Sequence, residues 1–312
     1  MKFEYRYSML VNISKNIRLF SLLLMMSFSN SLAAAEYKVA VRAHHGVDHA
    51  FKKWQPTLEA LSKLLPQHNF TLVPIISLKE ITQRSGRTEF DFVLTNPSSY
   101  VEIEQMYGAK AIVTLNNKRG NTAQSRFGSV IFTRASNLDV LTLKDLKDKT
   151  LMAVSESAFG GWRVAWVAML EQGFVPHKNL KKLVYAKNKT QPEVVWAVRD
   201  KKVDAGVVRT DRLERMEASG EIDMRYFRIL NNQDVRDFPF FLSSKLYPEW
   251  PFAALKHVPV SDVDSVKDVL LKINENSRAA QLGKYVGWVS PKDYEPVRVL
   301  MKRLRIGPYV NE

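Results

Sequence analysis

Leu151-Met152-Ala153-Val154 runs into Ser155-Glu156-Ser157-Ala158-Phe159-Gly160-Gly161-Trp162, and this stretch decides the fold. Four apolar residues followed by small polar ones read as a short buried strand. Two glycines ease a sharp turn. Residues 161–172 then carry a helical pattern that stops at Gly173. Strand, turn and helix make one βα unit, and its recurrence builds a largely parallel sheet with helices on both faces.

The unit does recur. Downstream, strands are expected at 183–186, 203–209 and 226–230, with helices at 192–199 and from 210 through Met216. Upstream, 128–133 reads as a strand and 143–146 as a helical turn. An earlier series has strands at 37–43, 70–76, 90–94 and 112–115, with helices at 54–65 and 78–84. Two series imply two lobes. The tail has one extended segment, 238–242, then only helical patterns at 250–255, 263–273, 279–285 and 294–304. Lacking strands for its own sheet, it is expected to pack onto the first lobe, with crossovers at 127–134 and 231–243. The expected division is 36–133 with 233–312 in lobe 1, and 134–232 in lobe 2. This is an α/β architecture with two lobes, hinge strands and an interlobe cleft. Ligands in such sheets bind at the carboxyl ends of strands, and hinge closure traps them.

Residues 1–35 read as a secretory signal. Lys2, Arg6, Lys15 and Arg18 precede a short apolar run at 19–28 and the small residues Ala33-Ala34-Ala35. The run is short of the roughly 20 residues that span a bilayer, so cleavage near Ala35 and a periplasmic location are expected. The chain has no cysteine, which excludes disulfides, thiolate metal sites and a cysteine nucleophile. At 312 residues and 46% hydrophobic, it has ample material for a core. Its formal net charge of +14 suits an anionic partner or a simply solvated surface. Export and the dispersed basic residues argue against nucleic acid.

Three strand ends are candidate binding segments. Asn96, Ser98, Ser99 and Tyr100 follow the strand at 90–94; the serines are expected to cap a helix and Tyr100 to wall the cleft. Ser155, Ser157, Phe159, Gly160, Gly161 and Trp162 form an expected anion cradle at a helix start. Arg209 and Thr210 end a third strand, where Arg209 either forks onto an oxyanion or pairs internally with Asp204 or Asp211. Each segment can also be an ordinary capped turn. His44, His45 and His49 cluster near Asp48, but their spacing matches no zinc signature. His44 is retained as a cleft-edge binding candidate, and no metal or cofactor is expected. No nucleophile elbow, zinc-protease motif or dinucleotide fingerprint is present, which favours binding over catalysis.

Thr95-Asn96-Pro97, Phe159-Gly160-Gly161-Trp162, Asp204 to Asp211, Leu246-Tyr247-Pro248-Glu249-Trp250-Pro251 and Ile306-Gly307-Pro308-Tyr309 stand in order along the chain. Together they resemble the phosphonate-binding-protein-like family of periplasmic solute receptors. Within it they are similar to the sensor domains that precede histidine kinases of the tetrathionate-sensor type. The resemblance implies a type II periplasmic-binding-protein fold, hinge closure and an interlobe site. Phosphonate receptors hold their ligand with a Ser/Thr-rich helix start, whereas here Ala158-Phe159 interrupts that pattern. The expected function is capture of a small anion, an oxyanion of phosphorus or sulfur, by a monomer. A membrane transporter or a membrane-bound sensor would read the closed form. No kinase segment precedes Glu312, so a free receptor or a separated input domain is expected.

Overall fold

The structure is a computed structural model that describes residues 34–311. The expected leader, apart from its last two residues, lies outside the described residues. Among those described, no helix is long and apolar enough to cross a membrane.

Four strands open the chain: β1 (Ala35–Arg42), β2 (His68–Ile75), β3 (Phe92–Leu94) and β4 (Lys110–Arg119). Helix α1 (Val47–Leu64) joins β1 to β2, and α2 (Leu78–Gly86) joins β2 to β3. β1 pairs in parallel with both β2 and β3. The alternation of a strand explains the layers. Tyr37, Val39 and Val41 of β1 meet Trp54, Leu58 and Leu61 of α1 in one core. Ala40, on the opposite face, packs with Ile81 of α2 in a second core. Each fully buried leucine of this kind contributes about 1.5–3 kcal/mol. Helix α3 (Pro97–Tyr107) connects β3 to β4, and β5 (Thr122–Gln124) folds back onto β4.

The chain leaves this sheet through β6 (Arg126–Phe127) and enters a second one. That sheet holds β7 (Ser129–Arg134), β8 (Thr150–Ala153), β9 (Lys182–Tyr185), β10 (Ala205–Arg209) and β11 (Phe227–Leu230), in the order β11-β7-β10-β8-β9. Its helices are α4 (Val164–Glu171), the short α5 (Pro176–Asn179), α6 (Gln191–Arg199) and α7 (Arg212–Ala218). Gly206 of β10 lets α6 approach closely, since a Cβ there would lie 2.8 Å from Val198 and 2.9 Å from Val194.

β12 (Tyr247–Pro248) returns the chain, pairing antiparallel with β6. The expected second crossover, 231–243, lies earlier. The structure keeps that segment with the second sheet: Ser243 Oγ accepts from Ile131 N–H at 2.9 Å. The extended segment expected at 238–242 forms no strand.

The tail departs further from expectation. Residues 250–255 were expected to be helical, yet β13 (Pro251–Ala254) inserts between β3 and β4, antiparallel to both. All four of its residues are buried, so no polar alternation marked it as a strand. After α8 (Val260–Lys272) and α9 (Arg278–Gly283), β14 (Tyr285–Val289) completes the first sheet on the far side of β4. α10 (Glu295–Leu304) ends the fold against α3 and α4.

Beside the two-strand hinge runs an apolar seam. Phe159, Val164 and Val167 from the second sheet's side share a core with Val297, Leu300 and Met301 of α10. Arg163 Nη1 donates to Ser98 Oγ at 3.1 Å across the same seam. Glu171 of α4 lies 3.7 Å from Arg303 of α10.

Candidate functional site

A cleft of about 560 Å³ opens on the other side of the hinge. Lobe 1 contributes the loop after β1, the first turns of α1, the end of β4 and the stretch ending α9. Lobe 2 contributes the start of α6, the end of β10 and helix α7. Among the described residues, nine lysines and arginines line it, and no aspartate or glutamate does.

The positive charge is organised around two carboxylates set just behind the surface. Glu249, fully buried next to β12, makes a short charge-assisted hydrogen bond with Arg209. It also accepts from Asn117 Nδ2 and lies 3.8 Å from Arg119 Nη2. Asp211 lies 2.7 Å from Arg215 Nε, 3.6 Å from Arg119 Nε and 3.8 Å from Arg209 Nε. Burial alone would push the Glu249 carboxyl up, but Arg209 and Arg119 outweigh it and hold its pKa below the ordinary value. Burial likewise opposes the charge on Arg209, and Glu249 and Asp211 overcome it, raising its pKa. The internal partner of Arg209 is thus chiefly Glu249. Asp204 is occupied elsewhere, accepting from Thr150 N–H at 2.8 Å.

Other cations in the cleft are less well compensated. Burial and the neighbouring Arg119 lower the Lys53 pKa to about 7. Burial and Arg209 bring Arg119 to about 10; burial and Arg215 do the same to Arg212. Desolvation first, then His45 and Lys53, push the His44 pKa down to about 3. Desolvation and His49 bring His45 to about 4. Both imidazoles are therefore neutral at pH 7. Their ring centroids lie 4.0 Å apart, and His44 sits 5.2 Å from Trp250. Among the described residues no group of three His, Asp or Glu side chains is arranged to hold a metal.

Of the expected site residues, His44 and Arg209 line this cleft. Gly160 lies directly behind Arg209. A Cβ on it would stand 3.2 Å from Arg209 Cγ and 2.8 Å from the Phe127 ring, over which the guanidinium stacks at 4.0 Å. The remaining candidates lie elsewhere. Asn96, not Ser98 or Ser99, caps α3: its Oδ1 accepts from Ser99 N–H at 2.9 Å and from Ser98 Oγ at 3.0 Å. Tyr100 is buried in lobe 1, donating to Glu104 and accepting from Ala111 N–H at 3.1 Å. Trp162 is fully buried in the lobe-2 core, stacked on Trp166. Trp162 and Tyr100, expected to wall the cleft, do not line it, whereas Trp250 does. Phe159 belongs to the interlobe seam, 5.9 Å from Phe127. Ser155 and Ser157 lie in the turn before it, and Gly161 lies buried against Val154. Residues Phe159–Arg163 form a π-turn leading into α4, so the helix opens without an ordinary cap. Thr210 is buried at the hinge, its Oγ1 accepting from Gly128 N–H at 3.2 Å.

Sequence reading missed Lys53, Arg119, Arg212, Arg215 and Glu249. One signal was present: Arg209, Arg212 and Arg215 recur every three residues across a strand end and the helix that follows.

Residues 40–295 match the family described as "ABC transporter, phosphonate, periplasmic substrate-binding protein". A tetrathionate sensor histidine kinase of Salmonella typhimurium is 28% identical over 276 residues. The match covers 88% of this chain and 45% of the kinase, so the chain spans about half of that relative's length. A Xanthomonas citri protein bound to ATP superposes with a TM-score of 0.70 at 14% identity, covering 87% of this chain and 98% of that one. A binding-protein component of a phosphonate transporter from Pseudomonas aeruginosa gives 0.64 at 15% identity, covering 86% and 85%. A Prochlorococcus marinus protein in complex with methylphosphonate gives 0.64 at 15% identity, covering 87% and 99%. Identities this low speak to the fold alone, which is the two-lobed type II arrangement.

Proposed function

Since the chain belongs to the periplasmic substrate-binding protein family of phosphonate ABC transporters, we propose that it captures a small anion between its lobes for a membrane partner. Membership assigns it to the periplasm and to binding rather than catalysis. The observation that carries the anion reading is the cleft lining: nine cationic side chains and no carboxylate. A surface of one sign, walled by low-dielectric protein, concentrates ligands of the opposite sign. An oxyanion of phosphorus or sulfur suits the cationic lining around Arg209, Arg212 and Arg215, with Arg209 itself held from behind by Glu249, to which both its terminal nitrogens donate. His44 and Trp250 supply a flatter, uncharged wall. Leader cleavage near Ala35, and the action of a monomer, belong to the same proposal.

Two partners fit. A transporter follows from the family. A membrane-bound sensor is favoured by the match to the sensor kinase, which runs through nearly all of this chain.

Thermal unfolding of the purified chain tests the anion reading. Sulfate, thiosulfate, phosphate, phosphonates, amino acids and organic acids would be compared, because a ligand of the native state raises stability by mass action. An anion-dependent shift that Arg209→Ala diminishes supports the reading. The ligand-dependent shift is the readout, since this variant also uncovers Glu249 and lowers the baseline. No shift with any anion defeats it.

A further inference from the structure

The cleft holds more positive charge than one small oxyanion can balance. Glu249 and Asp211 are shared among three arginines, Arg119, Arg209 and Arg215. One guanidinium charge in that group is left over. Lys53 and Arg212 line the same cleft, with no carboxylate among the described residues within ion-pair distance. Arg212 Nε is buried without a hydrogen-bond partner. Burial first, and neighbouring arginines second, lower the pKa values of both side chains.

The excess is divided between the lobes. Lys53 and Arg119 stand on α1 and β4 of lobe 1; Arg209, Arg212 and Arg215 stand on β10 and α7 of lobe 2. Closing the lobes drives like charges together while removing water, which becomes favourable only when negative charge lies between them. The space also exceeds what a single tetrahedral oxyanion fills. At about 560 Å³ it falls within the roughly 300–1,000 Å³ of pockets that take larger organic ligands. Exposed Lys52, Lys118 and Lys284 extend the positive lining outward to the rim.

We infer that the cleft selects an extended polyanion carrying three or more negative charges, one end against Arg212 and the other reaching Lys53. This deepens the anion reading above and rests on it. Condensed phosphates supply a series of probes with constant chemistry and rising charge.

The test is isothermal titration of the full chain with orthophosphate, pyrophosphate and tripolyphosphate at one ionic strength and pH 7.5, without divalent metal. Affinity is expected to climb by at least about tenfold from the first to the last, in the range that close charge pairs provide. Arg212→Gln and Lys53→Gln are each expected to shrink that ratio. Arg225→Gln, an exposed residue of lobe 2 paired with Asp223, should leave it intact. Orthophosphate, sulfate or thiosulfate binding as tightly as tripolyphosphate would overturn this inference and leave the anion reading standing. A ratio unchanged in Arg212→Gln and Lys53→Gln, or equally reduced in Arg225→Gln, would overturn it too, as a general charge effect. Binding by none of these anions, nor by a phosphonate, would remove both.

Discussion

Arg209, at the last residue of β10, and Glu249, just after β12, meet as a buried ion pair that joins lobe 2 to the returning hinge strand. Each is the other's main counter-charge, with Arg119 beside Glu249 and Asp211 beside Arg209. Removing one partner of a buried pair strands the other's charge, at a cost of about 3–5 kcal/mol. Glu249→Ala is therefore expected to lower the urea midpoint sharply. The double variant with Arg209→Met should recover part of the loss, a non-additivity that a double-mutant cycle measures.

The same pair sets a pH dependence. The folded-state pKa of Glu249 is depressed, so its contribution is present above the unfolded carboxylate value and fades as pH falls through the folded one. Acid unfolding of Glu249→Gln should start from a lower plateau and show a shallower decline below about pH 4. An acid transition as steep as that of the parent would contradict this.

Lys53 titrates with the opposite consequence. Its pKa is about 7 when folded, from an ordinary 10.5. Between those values the unfolded chain binds the extra proton, so stability rises with pH across that window. Lys53→Met should thus be more stable than the parent at pH 6, with the advantage shrinking towards pH 10. Anion binding pulls the other way, restoring a proton to Lys53. Calorimetry in buffers of different ionisation enthalpy should reveal proton uptake on binding at pH 7.5, and its disappearance in Lys53→Met.

Gly160→Ala places a methyl group against Phe127 and the stem of Arg209. The fused contact costs about 1–3 kcal/mol as overpacking. It should also displace the guanidinium, so anion-dependent stabilisation falls along with the melting temperature.

Tyr100→Phe separates core from cleft. The hydroxyl bridges Glu104 and the Ala111 amide inside lobe 1. Its loss leaves a buried donor unpaired and should cost about 1–3 kcal/mol. Anion affinity should be unchanged; a large loss of affinity would return Tyr100 to the binding site.

The two-lobed fold was legible because βα units announce themselves locally. The run 151–162 carried its strand, its turn and its helix within a dozen residues. β13 was not legible: Pro251-Phe252-Ala253-Ala254 is buried on both faces, so it lacks the alternation that separates a strand from a buried helix. The helix cap was readable and misassigned, since Asn96 ahead of Pro97 is the stronger start signal. The site divides in the same way. Arg209 was visible as a charge at a strand tip. Arg119 and Glu249 reach it from 90 and 40 residues away in sequence, a meeting that no local pattern encodes. Tyr100 and Trp162 had the right chain position but the wrong side-chain direction, and only packing determines direction.

The ladder between β6 and β12 is two residue pairs long, Phe127 with Tyr247 and Arg126 with Pro248. So narrow a ribbon offers little torsional stiffness, whereas the Phe159–Leu300 seam beside it resists being pulled apart. Travel of one lobe past the other is therefore expected to be a swivel about that seam. A membrane partner gripping both outer faces would register an angle, and the signal passed on would be a twist.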